Sequence, residues 1–83
     1  MKERTIAKLE HYYNSELSEV ELFRINHVID WYNIVVINPS ATNLQYLLVM
    51  ISTNWNNGSP NSQYMEILGD IYFLSLKSFS ELL

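Results

Sequence analysis

Residues 19–37 read EVELFRINHVIDWYNIVVI, and the fold turns on whether this stretch is helix or strand. Leu22, Ile25, Ile29, Tyr32 and Val36 keep a 3-4-3-4 spacing, which draws a single seam along a helix. Val28, Trp31 and Val35 form a second apolar face beside it, and Glu19, Asn26, Asp30 and Asn33 make a narrow polar stripe broken by Phe23. A helix that is apolar over most of its circumference is surrounded by protein, so this one is expected to be central. Ser18-Glu19-Val20-Glu21 has the form of a capping box at its start. Asn38-Pro39 ends it, because the residue before proline avoids helical geometry. The competing reading pairs residues 32–37 and 44–51 as a β-hairpin around the loop Asn38–Asn43, since both runs are short and partly β-branched. Helix is favoured because the seam continues unbroken through Val36.

Three further segments frame the central one. Ile6, Leu9 and Tyr13 fall at helical spacing and predict a first helix over about 2–13, broken by Asn14-Ser15. Ser40 can cap a third helix over about 41–55, with Leu44, Leu47, Leu48, Ile51 and Trp55 on its inner face. Asn54-Trp55-Asn56-Asn57-Gly58-Ser59-Pro60 reads as a loop. Ser59 as N-cap with Pro60 at the first helical position then opens a fourth helix over about 60–81. Its inward residues are Tyr64, Ile67, Leu68, Ile71, Ser75, Phe79 and Leu82. The expectation is an all-α, up-down bundle of four helices, with residues 1–83 forming one domain.

Composition narrows the function classes. Between Asp30 and Glu66, 35 consecutive residues carry no charge, and all fourteen charged side chains lie in the flanking arms. The formal net charge is −4, with no basic stripe, which disfavours direct contact with nucleic acid. The absence of cysteine excludes disulfides, thiolate metal sites and thiol catalysis. No apolar run approaches the ~20 residues that span a bilayer, and the charged start Met1-Lys2-Glu3-Arg4 does not resemble a secretory signal. A cytoplasmic protein without membrane insertion is the expectation.

Signals for chemistry are thin. His27 and Asp30 lie one turn apart, so a carboxylate could orient the imidazole, but no nucleophile or substrate pocket accompanies them. His11 reads as a surface residue. Glu16, Glu19 and Glu21 lack the pattern of a calcium loop and suit the positive end of a helix dipole. Glu66 and Asp70 share a helix face and read as a solvated acidic stripe. With only Gly58 and Gly69, there is no phosphate-cradling loop. No catalytic residue, cofactor or metal ligand is expected.

Recognition features are better developed. Tyr46 and Met50 form a second, uncharged face on the third segment, with side chains favoured in interface cores. Phe73 stands among Glu66, Asp70 and Lys77, an aromatic flanked by acids that could anchor a basic partner. Trp55 lies in the asparagine-rich loop, and loops on rigid scaffolds often carry binding. These residues point to a small acidic protein-binding module, an inhibitor or immunity-type protein that occludes a larger, basic partner protein. The alternative is a self-associating structural or chaperone-like subunit whose uncharged segment forms the interface of a homo-oligomer or larger assembly.

Overall fold

A computed structural model describes residues 4–9 and 16–83. Among these described residues three α-helices follow in order, α1 Glu19–Ile37, α2 Ala41–Asn57 and α3 Ser62–Ser78, with a closing 3-10 turn at Ser80–Leu82. The described residues contain no strand, so both arms of the alternative hairpin are helical.

The stretch 19–37 is helical over its full length. Its start carries the reciprocal capping box: the Glu21 N–H donates to Ser18 Oγ at 3.1 Å and the Ser18 N–H to Glu21 Oε1 at 3.0 Å. Ile25, Val28, Ile29, Tyr32, Val35 and Val36 are all buried, which makes both apolar faces of α1 core. The helix stops at Asn38, whose N–H donates to the Ile34 carbonyl before Pro39 turns the chain. Ser40 accepts from the Asn43 N–H and starts α2, which buries Leu44, Leu47 and Ile51. From α3 come Tyr64, Leu68, Ile71 and Ser75, and Phe79 just beyond packs its ring on Tyr32 at 5.4 Å between centroids.

Three boundaries depart from the sequence reading. First, α2 runs to Asn57, two residues beyond the expected end at about 55, so Asn56 and Asn57 of the asparagine-rich stretch are helical rather than loop. The stop falls at Gly58, whose φ of +70° only glycine adopts readily, and its N–H closes the helix on the Asn54 and Trp55 carbonyls. Second, the N-cap of α3 is Asn61 rather than Ser59. Asn61 Oδ1 accepts the Gln63 and Tyr64 N–H groups at 3.0 and 3.2 Å, while the Ser59 hydroxyl is engaged by Glu21. Third, α3 gives way after Ser78 to i→i+3 bonds, Leu82 N–H to Phe79 O and Leu83 N–H to Ser80 O.

The largest correction concerns the helix expected over 2–13. Residues 4–9 are not helical; they form a strap laid along α1. Asn33 accepts the Ile6 N–H at 2.7 Å through Oδ1 and donates to the Ile6 carbonyl at 2.8 Å through Nδ2. Asn26 treats Leu9 in the same way, at 2.7 and 3.0 Å. Side chains of α1 thus take the backbone groups that a helix would have bonded internally. Ile6 and Leu9 still reach the core, half-buried. The remaining part of that predicted helix, with His11, Tyr13 and the Asn14-Ser15 break, lies outside the described residues.

Candidate functional site

The antiparallel neighbours α2 and α3 leave a cleft of about 270 Å³ between them, lined by Ile51, Ser52, Trp55, Asn56, Gly69, Tyr72 and Phe73. The helix periods explain the set. Ile51, Ser52, Trp55 and Asn56 follow i, i+1, i+4, i+5 on α2, and Gly69, Tyr72 and Phe73 follow i, i+3, i+4 on α3, so each group forms one ridge. Because Trp55 belongs to α2 rather than to a loop, its ring is fixed against α3.

The floor of the cleft is Gly69. A Cβ there would stand 3.5 Å from Trp55 Cζ3, an ordinary contact, so an alanine would fit but would fill the space between the ridges. Over this floor the aromatic rings remain open to solvent, Phe73 at 71% and Trp55 at 47% exposure. Tyr72 meets Phe73 edge-on with 6.1 Å between ring centroids. No charged side chain lines the cleft; its lining residues with polar side-chain groups are Ser52, Asn56, Trp55 and Tyr72. Exposed large aromatics around a concave apolar surface are the usual anatomy of a recognition site.

Two of the acidic residues singled out in the sequence stand beside this cleft. Asp70 follows Gly69 and lies one turn before Phe73, and Glu66 lies one turn further back; both are exposed. Among the described residues neither makes an ion pair with a base, Lys77 included. The cleft therefore combines an apolar centre with unneutralised negative charge at one end.

Tyr46 and Met50 occupy the other flank of α2. Tyr46 stacks on Trp31 of α1, with centroids 5.5 Å apart and planes 20° from parallel, while 60% of it remains exposed. Met50 is half-buried against the core. The face expected to be free is thus half used: Met50 packs inward and Tyr46 rests on α1. The six proposed contact residues fall into two groups, with Trp55, Phe73, Glu66 and Asp70 on the α3 side and Tyr46 and Met50 on the α1 side. Sequence reasoning missed Gly69, Tyr72, Ser52 and Asn56, because the α2–α3 pairing that joins them is not encoded in either helix alone.

His27 is exposed and stacked on Phe23 at 6.2 Å, and the Asp30 carboxylate accepts an ion pair from Lys8 at 3.2 Å. The carboxylate that was to orient the imidazole is thereby engaged with the strap. Among the described residues Glu21 is the most connected acid. Ser59 Oγ donates to it at 2.5 Å, joined by the Ser18 N–H and by Asn61 Nδ2 at 3.2 Å. These hydrogen bonds, led by that of Ser59, hold its pKa below the ordinary glutamate value. It serves as a tie between the starts of α1 and α3. No helix among the described residues is long and apolar enough to cross a membrane.

No family model, no curated protein and no solved structure matches this chain.

Proposed function

We propose that the protein is a small, non-catalytic binding module that takes a segment of a larger basic protein into the α2–α3 cleft and occludes it, in the manner of an inhibitor or immunity-type protein. The observation that carries this reading is the convergence of Phe73, largely exposed, and Trp55, about half exposed, on an apolar cleft floored by a glycine. A glycine inside a helix costs about 1 kcal/mol relative to alanine, yet here alanine would fit; keeping the cleft open accounts for the glycine. Glu66, Asp70 and the net charge of −4 favour a basic ligand and would speed its approach. Burying either ring is worth up to about 3 kcal/mol before ordering costs.

The test is selection from a phage-displayed library of random peptides on the intact protein. Enriched sequences should combine an aliphatic or aromatic residue with Lys or Arg. Their affinity should fall at least about tenfold in Phe73→Ala, as expected for a hot-spot aromatic, and comparably in Gly69→Ala. The Gly69→Ala variant should meanwhile be more stable than the parent, so lost binding there cannot be blamed on unfolding. Enriched peptides that bind both variants as well as the parent would overturn the assignment, as would a library with no enrichment.

The second reading, self-association, has one observation in its favour. The outer face of α2 is uncharged and presents Tyr46 and Val49 at 60% and 55% exposure. Sedimentation over rising concentration separates the two: a concentration-independent monomer removes the oligomer reading and leaves the cleft reading standing.

A further inference from the structure

The asparagine stripe of α1 carries an inference independent of the cleft. Asn26 and Asn33 are seven residues apart, two helical turns, which places their amides on one face about 10.5 Å from each other. Ile6 and Leu9 are three residues apart, which in extended chain spans about 10 Å. The two lengths match, so each amide meets one residue of the strap and offers it a donor and an acceptor. The strap runs antiparallel to α1, Ile6 at Asn33 and Leu9 at Asn26, with Lys8 paired to Asp30 between them.

All four of these hydrogen bonds go to main chain. They define where an extended segment lies and in which direction it runs, and they are indifferent to its side chains. What selects sequence is limited to two half-buried apolar positions, filled by Ile6 and Leu9, and the cation that answers Asp30. Every bond between the strap and α1 could be made equally well by a segment from another chain.

We propose that this face of α1 is a peptide-binding groove that reads backbone, and that residues 4–9 are its built-in occupant. Its external ligand is an extended segment of a partner protein with the pattern apolar-x-Lys/Arg-apolar, entering antiparallel to α1 and displacing the strap. The tether gives the strap an effective concentration in the millimolar range, so a bare copy of the segment competes poorly and a partner must add contacts beyond the ladder.

The probe is the capped peptide Arg-Thr-Ile-Ala-Lys-Leu, titrated into the full-length protein and followed through the side-chain amide signals of Asn26 and Asn33. In Ile6→Pro/Leu9→Pro the strap loses the two N–H groups that the asparagines accept, half of its four hydrogen bonds to α1, which loosens its hold on the groove. The peptide should shift both signals in this variant, with at least about tenfold higher affinity than in the parent. A peptide methylated on the Ile and Leu backbone nitrogens should bind at least about tenfold more weakly than the plain one. Absence of shifts in a variant that keeps its helical spectrum would overturn the groove, as would an equal response to the methylated peptide. Should the double proline variant fail to fold, the parent decides: about 10 mM peptide must move the Ile6 and Leu9 amide signals toward those of free chain, and unchanged signals refute displacement.

Discussion

Two buried polar side chains of α3 differ in what they do with their hydroxyls. Ser75 is fully buried, and its Oγ donates to the Ile71 carbonyl at 2.6 Å, so it sits in the core without penalty. Tyr64 is equally buried, but its hydroxyl has no hydrogen-bond partner among the described residues. An unsatisfied buried hydroxyl costs about 1–3 kcal/mol, whereas the ring contributes to the core regardless. Tyr64→Phe should therefore leave the protein as stable as before or more stable by up to about 2 kcal/mol, read as a higher urea midpoint with unchanged slope. A loss beyond about 1 kcal/mol would show that the hydroxyl does have a partner.

At the scale of elements, what was legible in the sequence is what local pattern encodes. The central helix appears with the bounds that its capping box and Asn38-Pro39 announce, and its two apolar faces are the buried ones. On the other two helices Leu44, Leu47 and Ile51 and Tyr64, Leu68, Ile71 and Ser75 are buried as expected, whereas Leu48 and Ile67 are half-buried and Trp55, expected on the inner face, is exposed. The strap was not legible, because Ile6 and Leu9 satisfy helical spacing and extended packing alike. The decision between them is made 17 and 27 residues away, where Asn26 and Asn33 on the polar stripe of α1 bond the backbone of Leu9 and Ile6. The same polar stripe was visible in the sequence, but its partner was not. The cleft was half legible. Trp55 and Phe73 stand out in the sequence by residue type, whereas Gly69 becomes meaningful only once Trp55 of α2 is seen to lie against it.

At the scale of the whole molecule, Glu21 links segments that are far apart in sequence, since Ser59 and Asn61 both donate to its carboxylate. Its lowered pKa means that the fold favours the ionised form. The stabilisation is thus fully present above the ordinary glutamate value of about 4.3 and is lost as pH falls through the depressed folded value. Glu21→Gln should melt lower than the parent near pH 6, and the gap should narrow on acidification toward pH 3. A gap that stays constant across that range would sink the role given to the carboxylate.

The strap also dates itself within folding. Its bonds to α1 span 17 and 27 residues of chain, whereas each helix closes over four, and the asparagines have no geometry to offer until two turns of α1 exist. The helices must therefore come together before residues 4–9 are secured, and those residues are the first to leave. Asn33→Leu should accelerate unfolding while leaving the refolding rate nearly unchanged; a refolding arm slowed as much as unfolding is quickened would place the strap in the nucleus instead. The protein thus has an order of assembly in which the N-terminal segment is the last piece in place.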